Sequence, residues 1–342
     1  MTSDVIQPDR MLGESASFLQ MQEHISRLAP LNKPVLIIGE RGTGKELVAA
    51  RLHYLSRRWQ QNFLKINCAA FSETLLESQL FGHEIGAFTG ATKQQKGCFE
   101  RADGGTLFMD EVANTSMAVQ EKILRVTEYG EIERLGSMRS MTVDVRLVAA
   151  TNVDLPQVAA EGRFREDLLD RLAFDVITLP PLRERPEDIL ILAQHFSINM
   201  VQELGREYFP GFSKAATKAL QDYDWPGNVR ELKNVVERAV YQSEDPEEAV
   251  HSIVFDPFAS PFRPAHKAPA QLHAASPRIA EAQPSFAGGS FKQAVQDYEI
   301  RLLKDALRQS QFNQRKAAKM LDLTYDQLRG YLRKYELISS KE

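Results

Sequence analysis

Residues 34–45 read Pro34-Val-Leu-Ile-Ile-Gly-Glu-Arg-Gly-Thr-Gly-Lys45. Four apolar residues run straight into a glycine-rich turn, and residues 46–55 continue with a helical period. A strand, a glycine loop and a helix in that order form a phosphate cradle. Loop N–H groups and the helix N-terminus face anionic oxygens. Gly39, Glu40, Arg41, Gly42, Thr43 and Gly44 would line the cradle, and Lys45 would reach the β and γ phosphates of ATP. Such loops commonly follow the lysine with a Ser or Thr hydroxyl for Mg²⁺, and here that residue is Glu46. An ordinary glycine turn is the competing reading, and the flanking strand and helix argue against it.

Working outward, residues 64–67, 106–110 and 145–150 are further short apolar strands separated by helical segments. Strands alternating with helices imply an α/β domain with a parallel sheet covered on both faces. Phe18, Met21, Ile25 and Leu28 recur at helical spacing before the first strand. Gly104-Gly-Thr-Leu-Phe-Met-Asp-Glu111 is an apolar strand ending in two acids. Asp110 would hold Mg²⁺ through water, and Glu111 would polarise the attacking water. Thr151 and Asn152 end the next strand, where a polar side chain can sense the γ-phosphate or cap a helix.

Arg165 and Arg171 lie in Phe164-Arg-Glu-Asp-Leu-Leu-Asp-Arg-Leu172. Alone they read as surface ion pairs, and beside an ATP site they become candidates for fingers reaching into a neighbouring subunit. Trp225-Pro-Gly-Asn-Val-Arg-Glu-Leu232 is a turn and a helix start, with Asn228 as the expected cap. Arg230 would point back toward the nucleotide.

A chain of 342 residues suggests two or three domains. The strand signal stops after Leu179-Pro-Pro181, and residues 187–204, 213–223 and 229–242 are amphipathic helical patterns. The expected division is a loose tail over 1–9, an α/β subdomain over 10–180, a helical lid over 181–255, a linker over 256–290 and a helical module over 291–342. The linker holds six prolines and would reach roughly 30–35 Å as a coil.

Hydrophobic residues make up 43% and charged residues 26%, as in a soluble globular protein. The apolar runs are too short for a transmembrane helix, and the first residues lack a secretory signal. Cys68 and Cys98 have no metal-ligand spacing and read as small buried hydrophobes in a reducing cytoplasm. Net charge is −4. Residues 291–342 hold 11 Lys/Arg against 7 Asp/Glu, and a basic end on an acidic body suggests a tethered DNA-binding module.

In that module residues 291–307 form an amphipathic helix, Asn313 could cap a second through Leu321, and Asp322-Leu-Thr324 makes a turn before a third. This is helix–turn–helix spacing. Tyr325, Gln327, Arg329 and Arg333 are candidates for groove contacts, with Thr324 at the helix start. Arg315, Lys316, Lys319 and Lys334 would meet phosphates. A helical pair serving only dimerisation is the alternative.

Gly86-Ala-Phe-Thr-Gly-Ala91 fits none of these tasks. Phe88 and Thr89 sit between two glycines with no helical or strand period, as in a loop built to be displayed and pressed against something.

These motifs together resemble the bacterial enhancer-binding proteins, the AAA+ activators of σ54-dependent transcription, over roughly residues 10–250. Glu46 after the lysine is usual in that family. The resemblance implies a Fis-like helix–turn–helix at the end and a homo-hexameric ring with ATP at subunit interfaces. Hydrolysis would drive Gly86, Ala87, Phe88, Thr89, Gly90 and Ala91 against σ54 in the RNA polymerase holoenzyme. Asn67 matches the switch asparagine that holds Glu111 in different orientations before and after hydrolysis. The ATPase begins by about Leu12, without the receiver or sensing domain most relatives carry, so control is expected from outside. That layout resembles the phage-shock branch of the family, whose inhibitor, phage shock protein A, responds to membrane stress. Trp59, in Arg57-Arg-Trp-Gln-Gln61, is a candidate docking residue for such an inhibitor, with a half-buried structural Trp as the alternative.

Two other function classes compete. A repressor using its ATPase fold only to oligomerise should lack the Phe-Thr loop or the acidic pair. An AAA+ protease or unfoldase should carry a protease-docking motif and no helix–turn–helix.

Overall fold

The computed structural model describes residues 11–243, 245–258, 291–310, 313–335 and 337. The expected tail over 1–9, and all of the expected linker beyond residue 258, lie outside them. The chain divides near residue 259 into two compact units.

In the first unit Ser15 opens α1 (Ala16–Leu28) by accepting from Phe18 N–H, and the expected stripe of Phe18, Met21, Ile25 and Leu28 is buried. β1 (Val35–Ile38) leads through the glycine loop into α2 (Lys45–Tyr54), and β2 (Phe63–Asn67) follows. An insertion then intervenes. It consists of α3 (Glu73–Phe81), the paired strands β3 (Gly82–His83) and β4 (Gln95–Lys96), and the short α4 (Cys98–Arg101). After β5 (Thr106–Asp110) and α5 (Met117–Tyr129) comes a second hairpin, β6 (Glu131–Glu133) with β7 (Ser140–Thr142). β8 (Arg146–Thr151), α6 (Leu155–Ala160), α7 (Glu166–Leu172) and β9 (Val176–Thr178) complete the α/β part.

The main sheet is parallel, in the order β2-β5-β8-β1-β9. Because side chains alternate along a strand, each inner strand feeds two cores. Leu36, Leu107, Met109, Leu147 and Ala149 pack into one. Val35, Ile37, Phe108, Val148 and Ala150 pack into the other, against α1 and α2. The register sets Asn67 beside Asp110 and Ile38 beside Thr151, so the candidate site residues gather along one carboxyl edge, where open α/β sheets bind ligands. The sequence reading missed β9. It has three residues of which one is buried, too short to show a period, and its pairing with β1 makes it a strand.

Three helices form the lid: α8 (Pro186–Glu203), α9 (Lys214–Asp222) and α10 (Asn228–Tyr241). They close over a core centred on Trp225, which is fully buried and donates to Leu220 O at 2.9 Å. Asn228 is not the helix cap expected of it. Gly227 holds that position, and Asn228, at φ +53, is buried between lid and phosphate loop. Its Oδ1 accepts from Leu182 N–H at 2.8 Å, and its Nδ2 donates to Glu40 Oε2 at 3.0 Å and Arg41 O at 3.1 Å.

The second unit has α11 (Phe291–Gln309), α12 (Gln314–Met320) and α13 (Tyr325–Lys334). Leu303, Ala306, Leu307, Ala317, Ala318, Leu328 and Leu332 form its core. Asn313 caps α12 through Lys316 N–H, as expected. Asp322 stands where a turn glycine is usual and adopts φ +52, a conformation that Asp tolerates better than most residues.

Candidate functional site

The glycine loop owes its shape to two left-handed residues, Gly42 at φ +80 and Gly44 at φ +100. A Cβ on Gly42 would fall 2.2 Å from the carbonyl oxygen of Gly227 in the lid, so the loop and lid backbones can meet only at a glycine. Arg230 N–H donates to Gly42 O at 3.3 Å across the same junction. Thr43 Oγ1 donates to Glu40 O at 2.8 Å. Lys45 is buried, and its ammonium donates to Gly39 O at 3.0 Å. The charge therefore sits beside the N-terminus of α2, as a phosphate-binding lysine requires.

Glu40 fastens the loop to the lid. Arg183 grips both its oxygens at 2.7 and 2.9 Å. That guanidinium first, and Asn228 second, lower the Glu40 carboxyl to about 2. The tie is thus fully present above the ordinary carboxylate pKa near 4.5 and is lost only as pH falls toward about 2. Glu46 ion-pairs with Lys65 on β2 at 2.8 Å.

At the end of β5, Asp110 Oδ1 accepts from Glu111 N–H at 3.0 Å. Glu111 is held at φ +55, a strained conformation for a side chain longer than Asn. Asn152 faces it. With its amide oriented so that donors meet acceptors, Nδ2 donates to Glu111 Oε2 at 2.8 Å and Oδ1 accepts from Arg41 Nε at 3.1 Å. The phosphate loop is therefore joined to the acid of the second motif through Asn152. Thr151 is fully buried and turns inward, its Oγ1 accepting from Val153 N–H, while Asp154 caps the following helix. Asn67 differs from expectation. Its Oδ1 caps the next turn by accepting from Ala69 N–H at 2.9 Å, and Glu111 is paired with Asn152 instead.

One cleft of ≈ 870 Å³ is lined by residues 42–47, Asp110 and Arg230 at one end and continues between the sheet domain and the lid. Among the described residues no group of three or more His, Cys, Asp or Glu is placed to hold a metal. The donor set still fits Mg²⁺, which usually takes one or two carboxylates plus phosphate oxygens, and Asp110 would supply the carboxylate. Arg165 and Arg171 do not line this cleft. Arg165 precedes α7 and grips Asp167 at 2.7 and 3.0 Å, and Arg171 pairs with Glu128 at 2.7 Å.

The Gly86–Ala91 segment is the loop between β3 and β4, inside the insertion that links β2 to β5. Gly86 and Gly90 have φ +81 and +102, and a Cβ on either would meet nothing within 4 Å. Thr89 is exposed. Phe88 is not the displayed tip expected of it: it is half-buried, its ring edge-on to His83 at 5.0 Å. The sequence reading missed the neighbouring hairpin. Leu135 exchanges backbone hydrogen bonds with Gly82 and Glu84, and Arg134 bridges Glu84 at 2.9 Å and Glu100 at 2.8 Å. The signal lay in Glu84 and Glu100 flanking the loop, acids that share this arginine besides their nearer partners Gln94 and Lys96.

Trp59 is 55% exposed. Arg58 beside it is pinned to both carboxylate oxygens of Asp144 at 2.7 and 2.8 Å. Cys68 and Cys98 are free and buried, as expected. Burial first, then Asp110, push the Cys68 thiol up to about 12.

In the second unit Arg315, Lys316, Lys319, Arg329, Arg333 and Lys334 are all exposed. Thr324 and Gln327 form a capping box, with Thr324 Oγ1 accepting from Gln327 N–H and Gln327 Oε1 from Thr324 N–H. Gln327 is exposed, and its Oε1 is engaged at the helix start. Tyr325 donates to Gln314 at 3.4 Å, and Lys334 lies over the Tyr335 ring.

Residues 11–178 match the Sigma-54 interaction domain, residues 183–263 the AAA+ ATPase lid domain, and residues 294–335 the Bacterial regulatory protein, Fis family. The chain is 54% identical over 330 residues to the Psp operon transcriptional activator of Escherichia coli (strain K12), covering 96% of this chain and 98% of that protein. It is 49% identical over 235 residues to the Nif-specific regulatory protein of Azotobacter vinelandii, covering 69% of this chain and 45% of that one. Among solved structures, NtrX from Brucella abortus in complex with ADP aligns at TM-score 0.67 and 30% identity, over 95% of this chain and 69% of that one. The chain belongs to the σ54-dependent transcriptional activators, with an AAA+ P-loop domain, a helical lid and a Fis-type helix–turn–helix.

Proposed function

We propose that this activator hydrolyses ATP with Mg²⁺ and spends the energy on pressing the Gly86–Ala91 loop against σ54, converting the closed polymerase–promoter complex into an open one. The observation that carries the reading is topological. The loop hangs in the one insertion between β2 and β5, whose adjacent ends are Asn67 and Asp110. A change at the γ-phosphate that moves Glu111 from Asn152 toward Asn67 would pull on both roots of that insertion. Lys45 and the loop N–H groups hold the phosphates, Glu111 orients and polarises the attacking water, and Asn152 fixes Glu111 while Arg41 fixes Asn152. Mg²⁺, held by Asp110, would neutralise charge on the phosphate oxygens. Arg165 and Arg171 act on the neighbouring subunit's nucleotide in a homo-hexamer, and Arg230 on that of its own chain. Arg329 and Arg333 read enhancer DNA, with Arg315, Lys316, Lys319 and Lys334 on phosphates. The test is open-complex formation with purified σ54 polymerase. It should require hydrolysable ATP, and open complexes formed equally well without nucleotide would overturn the reading.

Control falls to an inhibitor in trans resembling phage shock protein A, at membrane-stress promoters in the cytoplasm. What supports this is an exposed Trp59 on a loop stiffened by Arg58. Among the described residues no helix is long and apolar enough to cross a membrane. Trp59→Ala should relieve inhibition several-fold in the presence of the inhibitor while leaving ATPase activity of the isolated protein unchanged; equal inhibition of both proteins would exclude Trp59 as the docking residue.

A further inference from the structure

We propose that Arg185 recognises the base: its guanidinium donates a hydrogen bond to a ring nitrogen of the adenine. The inference rests on reading the cleft as an ATP site. Arg185 is 4% exposed and immediately precedes α8. Its Nε is buried with no hydrogen-bond partner among the described residues, a costly state for a charged donor. Asp188, one turn on, provides opposite charge but has committed its oxygens elsewhere. Oδ1 accepts from Glu14 N–H at 2.7 Å and Ser15 N–H at 2.9 Å, and Oδ2 from Ser15 Oγ at 2.8 Å. The guanidinium lies 5.7 Å from the centre of the Phe18 ring. Asp188 thereby clamps the start of α1 to the lid, and Phe18 with Arg185 is held in place at that junction.

The cleft lined by the phosphate loop is also lined by Met11, Phe18, Met21, Leu179 and Leu192 and by Arg185. A nucleotide with its phosphates on Lys45 has its base as the remaining apolar part, and these side chains offer it an apolar lining. Binding slots for flat apolar rings carry a few aimed polar groups for orientation. Arginine offers only donors, and N1, N3 and N7 of adenine are acceptors, so the two are complementary. Burial lowers the Arg185 pKa and Asp188 opposes that shift.

Equilibrium binding of ATP and its 1-deaza, 3-deaza and 7-deaza analogues to the purified full chain tests this. One analogue should bind the wild-type protein about tenfold more weakly or worse, because it forfeits a bond to a charged donor. Arg185→Met keeps an unbranched apolar stem on Phe18, and should lose affinity for ATP to the same extent while no longer distinguishing that analogue. Three analogues that all bind the wild-type protein as ATP does would overturn the base contact, and so would discrimination that survives in Arg185→Met. The wild-type series answers without any variant having to fold. Failure of the wild-type protein to bind ATP at all would instead overturn the nucleotide site itself.

Discussion

Replacing Glu111 by alanine is expected to lower ATP turnover by about 10²–10⁴-fold, the usual worth of a positioned proton acceptor, while nucleotide affinity stays within a few-fold. Glu111 stands apart from the phosphate cradle: its carboxylate is held by Asn152 and its N–H by Asp110. Removing it leaves Lys45 and the loop N–H groups where they are. The φ of +55 is a complication, because alanine there keeps a strain of about 1 kcal/mol that the glutamate also carried. Glu111→Gln controls for shape, since its amide oxygen can still accept from Asn152. Phosphate release measured beside equilibrium nucleotide binding separates the two roles. Affinity that collapses together with turnover in both variants would make Glu111 a structural residue.

Much of this arrangement was legible in the chain. Glycine loop, apolar strand and acidic pair are local patterns, and the parallel register then sets Asn67, Asp110 and Thr151 along one edge without further information. The misreadings share a physical cause. Asn228 has the residue type of a helix cap, but lid closure buries it, and a buried amide takes the partners that its surroundings offer. Asn67 and Gln327 also cap locally, a second task that their residue type alone did not announce. β9, the Arg134 bridge and the Asp188 clamp depend on contacts between residues far apart in sequence, which no local period reports. Arg183 was passed over for a similar reason. Its task exists only because a lid residue comes within 2.7 Å of Glu40.

Thr89→Ala is expected to uncouple the machine: ATP turnover within about two-fold of wild type and open-complex formation by σ54 polymerase reduced roughly tenfold or more, the effect of losing one well-made hydrogen bond at an interface. Thr89 is exposed, and its hydroxyl makes no hydrogen bond among the described residues. The glycines on either side have open space around them. Removing the hydroxyl should therefore leave the fold and the nucleotide site intact, and any loss must be read at the surface the loop meets. Phe88 is a poorer probe, because its ring packs on His83 and Phe88→Ala would disturb the loop's own seating. Leu135 and Arg134 brace the base of the loop from the neighbouring hairpin, so a truncation at Thr89 should leave the roots of the insertion, and with them Glu111, in place. Open complexes that form normally with Thr89→Ala would remove this loop from the output of the ATPase, and the adjacent hairpin with its exposed Met138 would become the surface to test in its place.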